Sequence, residues 1–315
     1  MEEKGVDGRR VCPMRLQEMS PFPVIDCHVH VFPDGLAQAV RKWFSENAWE
    51  FHEEGSQEEL LFRLFRMGLK GAILLPYAHK PGISDTLNEF VAHLTRRFPR
   101  AVGFAAIHQG DRDIKGTLRK AFAALGLKGI KIHCHVQRVA PDARELDPIY
   151  EEAVNWDVPV LIHAGKEPYV PAYGYDVRQI TGARRVENVL RRYCSLKLIV
   201  PHLGFDETEE FCRLLDRFPN LYLDTTMMLA KFFPVEVRRE LLSSYADRIL
   251  YGTDYPHIPY EVERELLNLL EMGLREGELE LILHKNATRL FPGSFTQCPK
   301  SSYEREGLEP PKRLA

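Results

Sequence analysis

The 315-residue chain lacks the features that mark several large classes of protein. It has no run of about 18 consecutive apolar residues, so no membrane-spanning helix is expected. Its opening residues, MEEKGVDGRRVCPMRLQEMS, carry no apolar core of the kind a secretory signal needs. Cysteine is sparse: Cys12, Cys27, Cys134, Cys194, Cys212 and Cys298. None forms a C-x-x-C pair, and Cys27 and Cys134 fall inside apolar runs. Free thiols in a reducing compartment fit that pattern better than a disulfide framework. No G-x-G-x-x-G follows an early strand, so a dinucleotide-binding fold is without its fingerprint. No excess of one charge appears either. The net charge is −3 with both signs interspersed, which argues against nucleic acid and anionic membrane as partners. A soluble, cytoplasmic protein is the expectation.

What the chain does have is regular alternation. Short β-rich runs lie at 23–31, 70–77, 101–107, 129–136, 159–165, 196–204, 220–226 and 248–256, each bounded by Gly, Pro or a polar cluster. Amphipathic segments separate them. In NEFVAHLTRRF, for example, Phe90, Val91, Leu94 and Phe98 share one helical face. Asp206 and Glu209 are spaced as a capping box, and GELELILHKNATRLF reads as a last helix. About eight strand–helix units in about 270 residues predict a single-domain (β/α)8 TIM barrel. The barrel is expected over 21–291, with a polar N-terminal arm at 1–20 and a Pro-, Ser- and charge-rich tail at 292–315. The stretch 34–67 is long for one connection. It has room for two helices and for a lid, and makes a homodimer plausible.

The polar residues inside these apolar runs are placed non-randomly. VIDCHVHVF carries Asp26, His28 and His30 at a spacing of two, which predicts one shared strand face. His133 and His135 end the fourth predicted strand, with Lys131 on the same parity. His163 ends the fifth, His202 the sixth and Asp254 the eighth. The C-terminal strand ends form the face where TIM-barrel active sites sit. Imidazole nitrogen and carboxylate oxygen suit a divalent metal such as zinc, and equally manganese, cobalt or iron. Such an ion lowers the pKa of a bound water, and Asp254 is the candidate to take that water's proton.

This ordered set resembles the amidohydrolase superfamily and, more narrowly, the branch called amidohydrolase family 2. GIKIHCHVQ, PIYEEAVNWDVPVLIHAG, YGTDYPH and NATRLF resemble that branch's phrases in order, over roughly residues 22 to 291. The resemblance implies metal ligands His28, His30, His163 and Asp254, with one Zn2+ as the expected ion. His202 would sit beside it, holding water or a substrate oxygen, so that Asp254 and His202 are the catalytic pair. Asp26 reads as a structural hydrogen-bond partner, and Asp224 as a group that orients a neighbour. Lys131 is open to three roles: a contact to a substrate carboxylate, a buried pair with Asp26 or Asp224, or a carbamate that bridges a second metal. His133 is expected to reach the same pocket. Cys134 stands where the branch commonly has proline.

Tyr173, Tyr175 and Arg178, after the fifth strand, are candidates to read a small-molecule substrate. Tyr77 and His79, after the second, are further candidates. Two reactions are implied. Hydrolysis of an amide, ester or lactone by metal-activated water is the first expectation. The alternative is non-oxidative decarboxylation of an unsaturated or aromatic acid. HLGFDETEE lacks the L-P pair expected of the decarboxylases after the sixth strand, which weighs toward hydrolysis.

Overall fold

A computed structural model describes residues 16–295. Nine strand segments build the sheet: β1 (Ile25–His30), β2 (Gly71–Leu75), β3 (Ala101–Gly103), β4 (Ala105–Ala106), β5 (Ile130–His133), β6 (Val160–His163), β7 (Leu198–Val200), β8 (Leu221–Asp224) and β9 (Ile249–Leu250). Neighbours in this order pair parallel, from β1 to β3 and from β4 to β9. β3 and β4 are two halves of one strand, interrupted at Phe104. The Phe104 amide donates to Leu74 O at 3.0 Å and the Ala105 amide to Gly129 O at 2.7 Å, so the strand passes its ladder from one neighbour to the next. The two ends of the sheet also meet. Cys27 N donates to Tyr251 O at 2.8 Å, Asp254 N to His28 O at 2.9 Å and His30 N to Tyr255 O at 2.8 Å. The fold is the expected eight-stave TIM barrel.

Every residue of β1, β2, β5, β6 and β7 is buried, as strands with helices outside and side chains inside must be. Val29, Val31, Leu74, Ile130, Ile132, Val160 and Ile162 point outward into the strand–helix layer. Ile25, Cys27, Ile73, Val102, Phe104, Leu161, Ile199 and Leu250 fill the interior. Phe104 reaches the axis because residue 129 is glycine: a β-carbon there would stand 2.4 Å from the ring. Leu290, Phe291 and Phe295 close this apolar layer. Phe295, within the expected tail, is therefore buried. At the other end of the chain Leu16–Met19 form a short helix, and Leu16 is buried. The rest of the expected arm and tail lies outside the described residues.

The segment after β1 holds two helices, Asp34–Asn47 and Gln57–Arg66. A Ser56–Glu59 capping box opens the second. The box expected at Asp206 and Glu209 does not form. That helix runs Thr208–Leu215 without a side-chain cap, and the nearby Glu207 is engaged by the Ala183 amide and by Lys166. No helix among the described residues is long and apolar enough to cross a membrane. Cys27, Cys134, Cys194 and Cys212 are free thiols.

Candidate metal centre

Strand β1 does not run with a uniform period of two. Asp26 pairs with Ala72 and Val29 with Leu74, so β1 spends three steps where β2 spends two. This bulge turns Asp26 toward the outer face, the side of Ala72 and Leu74, and leaves His28 and His30 facing the interior. The expectation that all three form one wall is corrected here. Asp26 instead accepts hydrogen bonds from the His28 and Thr253 amides and from Thr253 Oγ1. It ties β1 to the segment that carries Asp254. Burial pushes its carboxyl up to about 7, although these bonds pull the other way.

Each β1 imidazole is anchored through one nitrogen and presents the other. His28 Nδ1 meets Asp224 Oδ2 at 2.9 Å, and His30 Nδ1 meets Leu75 O at 3.1 Å. Their Nε2 atoms converge on Asp254 Oδ1, at 3.3 Å from His28 and 3.2 Å from His30. That oxygen is buried and has no hydrogen-bond partner. Gly252 makes room, since a β-carbon there would stand 2.9 Å from that of His28. Asp254 itself holds φ at 74°, a region non-glycine residues seldom occupy. Burial drives both imidazoles below their ordinary pKa, so they are neutral and carry a lone pair. Burial would raise the Asp254 carboxyl, but the surrounding imidazoles hold it well below the usual carboxylate range. Two neutral nitrogens and one carboxylate oxygen on a common centre fit a divalent ion, with ring orientation fixed from behind as metal-binding histidines require.

His202 follows β7 in a tight turn, with φ at 57°. Its amide donates to Asp224 Oδ1 at 3.0 Å and its Nδ1 meets Thr226 O at 3.0 Å, which leaves a buried, unpartnered Nε2. Asp224 thus orients His28 with one oxygen and His202 with the other. Lys131 is wholly buried, its Nζ 3.3 Å from His28 Nε2. Burial lowers it to about 8 against the pull of Asp254 and Asp224. It lies beneath the pocket and does not line it, so the substrate-contact role is not supported.

His163 lines the same pocket as His30 and Asp254. Its Nε2 bonds Glu167 Oε1, and its ring stacks on His133 with centroids 4.0 Å apart. His135 lies beyond the end of β5, on the short helix Cys134–Gln137, with Nδ1 3.5 Å from Glu167 Oε2. Burial would raise the Glu167 carboxyl, but His135 and the other imidazoles outweigh it and hold it at about 2. The interior therefore presents adjoining donor groups. One is His28, His30 and Asp254; the others are His133, His135 and His163, and His163, Glu167 and His202.

Above them is a cavity of about 90 Å3. His30, His133, His163, Glu167, His202 and Asp254 form its polar part, with His257 alongside. Trp43, Phe44, Trp49, Tyr77, Tyr173, Phe205 and Phe233 form its walls. Tyr77 and Tyr173 are thus where expected. Arg178 is not: it is exposed and holds Asp176 through Nε at 2.8 Å and Nη2 at 2.9 Å. His79 is exposed as well. Tyr175 donates to His135 O, which braces the second group rather than the cavity.

Glu167, His257 and the aromatic residues of 43–49 escape a reading based on strand ends. Glu167 stands four residues after His163 in a loop with no period. The only available signal was a carboxylate close behind a strand-end histidine.

A TIM barrel with histidines and an aspartate gathered at its C-terminal strand ends defines the class, and the chain belongs to the amidohydrolase family. The family model described as Amidohydrolase matches residues 25–293. No curated protein matches the chain. Solved structures similar to it include an uncharacterized TIM-barrel protein from Bordetella bronchiseptica. The two are 21% identical with a TM-score of 0.65, over 85% of this chain and 98% of that one. A 2,6-dihydroxybenzoate decarboxylase from Rhizobium is 19% identical with a TM-score of 0.64, over 86% and 98%. A 5-carboxyvanillate decarboxylase from Novosphingobium aromaticivorans, complexed with manganese and 4-hydroxy-3-methoxy-5-nitrobenzoic acid, is 18% identical with a TM-score of 0.64, over 86% and 96%. At these identities the likeness is one of fold.

Proposed function

We propose that the protein is a divalent-metal-dependent lyase that removes a carboxyl group, without oxidation, from a planar aromatic or unsaturated acid. The observation that carries this reading is the aromatic lining of the slot beside His30 and Asp254, made by Trp43, Phe44, Trp49, Tyr77, Tyr173, Phe205 and Phe233. His257 stacks on His30 at 4.6 Å and 9° and on Phe51 at 4.7 Å and 20°, which fixes one wall of the slot. Trp43 leans on Tyr173 across the mouth at 5.4 Å. Such walls favour a flat ring over a flexible chain. The aromatic-acid decarboxylases among the similar folds support the same choice.

His28 Nε2, His30 Nε2 and the Asp254 carboxylate would hold the ion. When bound, a divalent ion supplies positive charge against the anionic oxygens of the substrate. The aromatic walls set the ring plane and exclude water. No lysine or arginine lines the slot among the described residues, so no fixed salt bridge must break as carbon dioxide leaves. Asp254, ionised at rest, takes a proton from a ring hydroxyl or water. It returns that proton to the ring carbon as the C–C bond breaks and its electron pair stays on the ring. His202, anchored at Nδ1, presents Nε2 to a substrate oxygen.

Hydrolysis is the second reading, and the HLGFDETEE segment after β7 favours it. The two are separated by product. Protein reconstituted with manganese or zinc is incubated with carboxyl-labelled hydroxybenzoates and, separately, with lactones and amides. Labelled carbon dioxide that disappears in Asp254→Asn is expected. Turnover of a lactone or amide with no labelled gas from any acid would overturn the lyase reading in favour of hydrolysis.

A further inference from the structure

We propose that His257 is a specificity-determining residue, whose imidazole reads a hydroxyl group on the substrate ring. This rests on the aromatic-acid reading above and deepens it, from a flat ring to a ring that carries a hydrogen-bonding substituent.

His257 is held by its backbone. Its amide donates to Asp254 O at 2.8 Å, and its carbonyl accepts from Trp49 Nε1 at 2.8 Å. One residue further on, Ile258 O accepts from His52 N at 2.8 Å. The segment after β9 is thereby tied to the connection between β1 and β2. Packing sets the ring plane. Besides the stacked rings of His30 and Phe51, the ring centroids of Phe32 and Phe44 lie 5.8 and 5.5 Å away. Backbone and packing fix the imidazole with no help from its nitrogens.

Those nitrogens are otherwise unused. His257 is 4% exposed, and neither ring nitrogen has a hydrogen-bond partner among the described residues. His28, His30 and His202, in contrast, each place Nδ1 on a protein oxygen. Buried polar groups are normally paired, and a residue needed only for packing would cost less as an apolar ring. His257 lines the cavity beside His30 and Asp254, so a ligand held there is within its reach. Burial, with His30 second, drives the imidazole well below its ordinary pKa. The neutral ring offers one N–H donor and one lone-pair acceptor. A carboxylate could use only the donor, whereas a hydroxyl can pair with either nitrogen. A ring without that hydroxyl leaves the imidazole unpaired, which is how a polar wall discriminates.

The test is calorimetric binding to zinc-reconstituted protein, with 2-, 3- and 4-hydroxybenzoate each compared with the methylbenzoate of the same position. Comparing two ligands on one protein cancels any change in metal occupancy. In the wild type the hydroxy acid should bind about tenfold tighter than its methyl partner at one position or more. His257→Phe keeps a ring without nitrogens and should lose that advantage. His257→Gln restores a donor and an acceptor and should keep part of it. Circular dichroism checks each variant, and His257→Leu replaces His257→Phe if the latter does not fold. A hydroxyl gripped by the metal, or by Tyr77 or Tyr173, keeps its advantage in His257→Phe, and that result overturns the role of His257. An equal loss in His257→Gln assigns the effect to packing and overturns it too, as does no hydroxyl advantage in the wild type. The expected pattern without labelled carbon dioxide from any acid leaves His257 its role and overturns the lyase reading alone. No binding by any of the acids overturns both.

Discussion

The Nδ1 of His28 lies 2.9 Å from Asp224 Oδ2, across the barrel interior from β1 to β8. This contact decides which nitrogen of His28 is free. With the proton on Nδ1 and shared with Asp224, Nε2 carries the lone pair toward Asp254. Asp224→Asn reverses the pattern. The His202 and Thr226 amides claim the amide oxygen, as they now claim Oδ1, and the amide nitrogen then faces His28 as a donor. The imidazole must put its proton on Nε2. Metal affinity should fall about 10–100-fold with an unchanged circular dichroism spectrum. Unchanged affinity would show that Asp224 does not set the tautomer.

In the proposed reaction Asp254 moves the proton, and the surrounding imidazoles hold its carboxyl well below the usual carboxylate range. Asp254→Asn keeps shape and volume but cannot accept a proton. A fall in kcat of about 10²–10⁴-fold is expected, larger than any change in KM. Near-wild-type turnover on a matched substrate would remove Asp254 from the mechanism.

Substrate affinity should depend on the segment between β1 and β2. Trp43 is half-buried on Asp34–Asn47, a helix with no buried residue, so its truncation threatens the fold little. Trp43→Ala removes one wall of the slot and its contact with Tyr173. A rise in KM of about fivefold, with kcat changed less, follows from the loss of roughly 1 kcal/mol of ring contact. An equal fall in kcat with constant KM would mean that Trp43 acts on the chemical step instead.

Stability should depend on pH through Glu265, which is buried outside the pocket and accepts from Tyr260 Oη at 2.9 Å and Leu229 N at 3.2 Å. Burial pushes its carboxyl up to about 8, although these bonds pull it down. The folded chain then keeps a proton that the unfolded chain releases above its ordinary value of 4.5. The contribution is complete below that value and is lost as pH rises through about 8. Glu265→Gln does not titrate. Relative to the variant, the wild type should lose stability by about 1.4 kcal/mol per pH unit across this window. Urea unfolding of both proteins at about pH 5, 6.5 and 8 measures it; parallel profiles would contradict it.

The sequence was informative wherever a period governs the side chain. Parallel strands buried on both faces must alternate, so His133, His163 and Lys131 could be assigned to the interior from the run alone, as could the C-terminal ends that gather them. The same rule failed at Asp26, because one extra residue in β1 inverts the parity between Asp26 and His28. A bulge leaves no mark in hydrophobic spacing. Arg178 looked available from its loop position, but Asp176 lies two residues away and binds its guanidinium at two points. Glu167 and Trp43 were hidden for the opposite reason. Loop and lid residues reach the pocket through tertiary geometry, which no local pattern encodes. His163 was expected among the pocket residues, and it lines the pocket with His30 and Asp254 while its Nε2 meets Glu167 Oε1.

The central claim is that His28, His30 and Asp254 hold a divalent ion. Anomalous diffraction from crystals grown with zinc or manganese tests it most directly. A peak within about 2.0–2.2 Å of His28 Nε2, His30 Nε2 and an Asp254 carboxylate oxygen is the result predicted. A fully loaded crystal with no peak among these three residues would contradict it.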